Sequence, residues 1–152
     1  MSLALPPAAF VGLAAVVRAD QRMTRDEAAA LIRAARECGL TGPDLQAVEN
    51  ATTSTSKVAD VDASGLSPWQ RVVTYALGTW LARVDGVVQS SEHASLASLA
   101  GTLGLPKKTL DAAGACVLDV MMLPAGNRPD KYDFVALEKR LRERLPSLAE
   151  AD

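Results

Sequence analysis

Apolar residues along this chain recur at intervals of three and four, the spacing that lays one stripe along a helix. Phe10, Leu13, Ala14 and Val17 make the first stripe. Thr24-Arg25-Asp26-Glu27 then has the form of a capping box. It opens a second helix, with Ala28, Leu31, Ile32 and Ala35 expected inward and Arg33 and Arg36 outward. Gly39 is the natural stop, since glycine takes a positive φ without penalty. A weaker helical segment runs from Gly42 to Asn50, and residues 54–66, STSKVADVDASGL, read as a linker. Ser67-Pro68 supplies an N-cap and a first-turn proline. The helix they open has the widest apolar face (Trp69, Val72, Val73, Ala76, Leu77, Trp80, Leu81) and is expected to be the most buried. Residues 90–103 and a segment from Pro106 to Leu123 are two further helices parted by Gly104, and Pro124, Gly126 and Pro129 break the chain. A last amphipathic helix turns Phe134, Val135, Leu137, Leu141 and Leu145 inward, with Glu138, Lys139, Arg140, Arg142, Glu143 and Arg144 mostly outward. The pattern predicts an all-α protein of seven helices and no strand.

Sliding the chain on itself by 65 residues aligns 10–47 with 75–112 without gaps. Arg18/Arg83, Asp20/Asp85, Glu27/Glu92 and Gly39/Gly104 then coincide, each near a helix boundary, and Ala and Leu matches accompany them. The expectation is a single domain over residues 1–152, made of two pseudo-repeated helical halves, which is far shorter than a solenoid.

Composition narrows the function classes. A chain of 152 residues can bury a sizeable core. With 49% hydrophobic residues but only 4% aromatic, that core is built mainly of Ala, Leu and Val, which suits helices better than sheets. A net charge of −2 with no basic stripe argues against a nucleic-acid partner. Cys38 and Cys116 stand in separate apolar segments and read as buried, reduced thiols of a cytoplasmic protein. The opening MSLALPPAAFVGLAAVV lacks a basic leading segment and is interrupted by Pro6-Pro7, so it is expected to enter the core, with no membrane span.

Candidate chemistry centres on Asp20, Glu27, Asp85 and Glu92. In each half an Asp ends one helix and a Glu lies in the first turn of the next. Packed about a pseudo-twofold axis, the four carboxylates suit Ca²⁺ or another hard divalent cation, which favours oxygen ligands. The alternative needs no ion: Glu27 completes the capping box, and Asp85-Gly86 is an ordinary turn pair. Asp60, Asp62, Ser64 and Gly65 match the first ligand positions of an EF-hand loop, but its essential glutamate position falls on Arg71, so a polar linker is the simpler reading. His93, the one histidine, has no nucleophile pattern around it and reads as exposed or capping. Trp69 and Trp80 read as core. Met121-Met122 reads as packing, and as a partner groove if exposed.

The twice-used phrase, an apolar helix, an Asp, a short polar turn and a Glu seven residues after the Asp, resembles the TerB family of tellurite-resistance proteins. It is also similar to the related N-terminal domain of a DnaJ-like membrane co-chaperone. Here it stands as Arg83-Val84-Asp85-Gly86 with Glu92, and as Arg18-Ala19-Asp20-Gln21 with Glu27, where Gln21 takes the place of the glycine. The resemblance spans residues 8 to 145. It implies a non-enzymatic all-helical module of bacterial stress or metal resistance, with an acidic cluster and metal binding. On this reading the chain acts through an unidentified protein partner, a cation or both. A dedicated divalent-cation-binding protein and a purely structural or interaction module are the rival expectations.

Overall fold

Ser67 and Pro68 start the helix on which the other elements pack. A computed structural model describes residues 5–6, 9–10, 13–14, 25–51, 65–83, 90–124 and 132–150, leaving out the side chains at 25–26, 51, 90–93, 95 and 149–150. Among these the helices are α1 (Arg25–Glu37), α2 (Gly42–Ala51), α3 (Pro68–Leu81), α4 (Ser90–Leu103), α5 (Lys107–Met121), α6 (Phe134–Arg144) and α7 (Pro146–Glu150), with no strand. The all-helical expectation is thus met for the described residues. Their count of seven includes α7, which the apolar pattern did not separate. The residues between the two halves, 52–64, lie outside the described residues.

The start of α3 is a full capping box. The Gln70 N–H donates to Ser67 Oγ at 3.1 Å, and the Ser67 N–H donates to Gln70 Oε1 at 2.9 Å. Ten of its 14 residues are buried, and α1, α4, α5 and α7 all pack on it. Two of the ten are threonines. Their hydroxyls donate back along the helix, Thr74 to the Gln70 carbonyl at 2.7 Å and Thr79 to the Tyr75 carbonyl at 3.1 Å, so neither is buried unpaired. Gly78 lets the Leu13, Leu96 and Leu99 side chains converge on the α3 backbone. Leu5, Ala9, Phe10, Leu13 and Ala14 are buried, and 9–10 and 13–14 are helical, as expected of a segment entering the core. Val17 lies outside the described residues.

On α1 the buried stripe is Ala30, Leu31, Ala34, Ala35 and Cys38, while Ala28 and Ile32 are only half-buried. The covered face therefore turns toward Ala30 and Ala34 and away from Ala28 and Ile32, while keeping Leu31 and Ala35 of the expected set. Arg33, expected outward, lies with its guanidinium 4.7 Å from the centre of the Phe134 ring and donates to the Tyr132 carbonyl at 2.8 Å. Beyond α1, Gly39 has φ +90°. Its N–H donates to the Arg36 carbonyl and the Leu40 N–H to the Ala35 carbonyl, the paired bonds of a Schellman stop. Gly104 after α4 has φ +68° and donates to the Ala100 and Gly101 carbonyls. These glycines are 65 residues apart, as are the starts of α2 at Gly42 and α5 at Lys107.

The C-terminal segment is held by an aromatic cluster. Ring centres of Trp80, Tyr132 and Phe134 lie 5.0–5.2 Å apart, mostly edge to face. Phe134 fixes the rotation of α6, so Leu137, Glu138 and Leu141 follow it inward at three- and four-residue steps. Two expectations fail for this reason. Val135, one position round from Phe134, is 75% exposed, and Glu138 is only 5% exposed. Pro146 cannot donate its nitrogen to α6 and opens the short α7. One apolar cluster runs from Leu5 to Leu141. The halves differ in one respect: α1 packs on α2, whereas α4 and α5 each pack chiefly on α3 and leave a groove between them.

Candidate docking groove and the acidic turns

The two acidic turns are only partly described. Asp20 and Asp85 lie outside the described residues, as do Thr24, Asp60 and Asp62. Glu92 belongs to the backbone of α4, but its side chain and that of His93 are outside the description. Glu27 is the one candidate ligand whose side chain is placed. It sits in the first turn of α1, is 3% exposed and has a partner. Among the described residues no three His, Cys, Asp or Glu side chains gather as a metal site. The convergence of the four carboxylates thus remains an expectation from the sequence.

The groove between α4 and α5 has a volume of about 580 Å³. Tyr75 and Thr79 of α3 lie along its floor, Ala97 on one wall, and Gly114, Ala115 and Leu118 on the other. Ala97, Gly114 and Ala115 keep the middle of its walls low, between the larger Leu96 and Leu110. Leu118, at 43% exposed, stands at the rim, and Met122, one turn on, is 85% exposed. The methionine pair therefore divides: Met121 packs on the core and Met122 faces solvent. Among the described residues two charges line the groove, Arg83 just past α3 and Asp111 on α5. Neither makes an ion pair among the described residues. The signal for this surface in the chain is the run Gly114, Ala115, Leu118, Met122, an apolar stripe at helical spacing that no other helix among the described residues covers.

Elsewhere burial silences ionisable groups. Cys38 has its thiol pushed up to about 12 by burial, with Glu37 and Glu138 adding to the effect. Burial also raises Cys116, and it raises the Tyr132 hydroxyl, which Cys116 and Asp133 push further. Both thiols therefore stay protonated at neutral pH and are poor nucleophiles in the native protein. Both are free, as expected. Trp69 and Trp80 are core residues, as expected. The Arg142 guanidinium lies 4.6 Å from the Trp69 ring centre, and its Nε is 3.8 Å from Glu138 Oε2. Among the described residues Glu138 Oε1 and Arg142 Nε lack hydrogen-bond partners, so the pair is held loosely.

Among the described residues, then, the molecule is a helical protein assembled on a buried central helix, with an open groove between two of that helix's neighbours. No helix among them is long and apolar enough to cross a membrane. No protein-family model, curated protein or solved structure matches the chain.

Proposed function

We propose that this protein is a non-catalytic, TerB-like helical module that works by binding, to a protein, a divalent cation or both, in the cytoplasm of a bacterium under stress or metal challenge of the tellurite type. The observation that carries this reading is the recurrence of one structural phrase at a spacing of 65 residues. The left-handed glycine stops at Gly39 and Gly104 and the helix starts at Gly42 and Lys107 fall in the same register as Asp20/Asp85 and Glu27/Glu92. The groove between α4 and α5 favours protein binding as one of the module's activities.

A thermal melt against Ca²⁺, Mg²⁺ and Mn²⁺ tests the cation arm. A ligand at a hundred times its Kd stabilises a one-site protein by about 2.7 kcal/mol, which for a chain of this length is a rise of about 5–10 °C in Tm. The rise is expected with at least one of these ions and is lost in Asp85→Asn. Unchanged melting with every ion removes the cation arm and leaves protein binding.

A further inference from the structure

We infer that the groove between α4 and α5 is the contact face of a twofold homodimer, an inference that rests on the protein-binding arm of the reading above. The direction of the helices comes first. The Arg71 guanidinium donates to the Leu103 carbonyl at 3.1 Å, so α4 ends beside the early turns of α3. Tyr132 stacks on Trp80 and donates its hydroxyl to the Val117 carbonyl at 3.3 Å, so the later turns of α5 lie beside the end of α3. Asp111, on an early turn of α5, therefore marks one end of the groove, and Arg83, just past α3, marks the other.

A groove with a cation at one end and an anion at the other is complementary to itself. Rotating a second copy by half a turn about an axis through the middle of the groove sets Arg83 of each copy over Asp111 of the other, which is the arrangement an isologous interface requires. Shape follows the same rule. Leu118 and Met122 form an exposed apolar ridge on α5, and the hollow beside them is walled by Ala97, Gly114 and Ala115. One surface carries both the ridge and the hollow that receives it. The corresponding helix of the other half has a different face. At positions 65 residues earlier, α2 carries Gln46, Glu49 and Asn50 where α5 carries Asp111, Gly114 and Ala115.

Sedimentation equilibrium of the full chain over a wide concentration range tests this. The wild type is expected to move from 16.0 kDa toward twice that mass. Arg83→Glu and Asp111→Arg each weaken association by about a hundredfold, because every substitution counts twice across the axis, and the double variant recovers most of the loss. Gly114→Leu abolishes association while leaving the monomer folded by circular dichroism, since nothing lies within 4 Å of a Cβ at that position. A wild type that stays at 16.0 kDa at every concentration overturns the dimer, and so does a dimer whose dissociation constant none of these variants changes. Neither outcome touches the cation titration, which judges the module reading by a separate signal.

Discussion

Replacing Gly78 by alanine tests the packing at the centre of the molecule, because two effects of known sign oppose each other there. In a helix interior, alanine is favoured over glycine by about 0.5–1 kcal/mol. The new methyl would meet Leu13 Cδ2 at 3.2 Å and the Cδ2 atoms of Leu96 and Leu99 at 3.3 Å, inside the contact distance of about 3.5–4.0 Å for carbon. Those methyls come from two different elements, Leu13 from the N-terminal segment and Leu96 and Leu99 from α4, and Leu13 and Leu99 are fully buried, so they cannot all retreat at once. Overpacking of this kind costs about 1–3 kcal/mol. The net expectation is a loss of about 1 kcal/mol. Gly114→Ala is the control: the same change in a helix interior, with nothing within 4 Å, should gain about 0.5–1 kcal/mol. Urea unfolding followed by Trp69 and Trp80 emission at low protein concentration reads both. With a slope near the middle of the usual range of about 1–3 kcal/mol/M, the midpoint of Gly78→Ala falls by about 0.5 M. A Gly78→Ala midpoint at or above that of the wild type refutes the close approach of the three leucines.

Three further changes follow from named contacts. Arg33→Met removes the cation over Phe134 and leaves the Tyr132 carbonyl without that donor, so unfolding free energy should drop by about 2 kcal/mol, and Arg33→Lys should recover little of it; an unchanged urea midpoint for Arg33→Met counts against the contact. Glu138→Met should be neutral or slightly stabilising, whereas Arg142→Met, which leaves the carboxylate behind, should cost about 1–2 kcal/mol; equal effects in calorimetry would show that the pair is not the issue. The Cys38 thiol has a native value of about 12 against an ordinary 9.0, so the native chain holds that proton while the unfolded chain releases it. Its contribution is complete below pH 9.0 and is lost as pH climbs toward 12, so Cys38→Ala should flatten the alkaline limb of a stability profile; an alkaline limb identical to wild type contradicts the burial.

Much of this fold is legible in the chain because helix ends are written in local chemistry. Ser67-Pro68, Gly39, Gly104 and Pro106 act through the backbone of their own turn, and each stands where the structure begins or ends a helix. Rotation of a helix about its axis is a different matter, since a neighbour decides it. Phe134 is drawn to Trp80 and Tyr132, and that anchor carries Glu138 in and Val135 out against their own hydropathy. In α1 the apolar side is wide, so the positions of α3 and of the Tyr132–Phe134 segment settle which of its alanines are covered.

The candidate sites divide along the same line, and the division bears on how the two halves came to differ. A repeat found by identity draws the eye to what both halves keep, which is punctuation and the acidic residues beside it. A surface that one half alone has acquired lies in the mismatches, at Gln46/Asp111, Glu49/Gly114 and Asn50/Ala115, where no count of identities registers it. Two of these exchanges, Glu49/Gly114 and Asn50/Ala115, remove bulk and polarity from the outer face of α5, and the third, Gln46/Asp111, adds a charge there, while the start of the helix and the glycine before it are unchanged. The backbone frame can therefore be shared while the faces diverge. Where α2 packs against α1, α5 stands apart from α4 and opens a hollow. An apolar hollow beside an exposed Leu118 and Met122 leaves apolar surface in water, which is unfavourable for an isolated chain and favourable once covered. The second copy inferred above would cover this face of α5 and take that surface out of water.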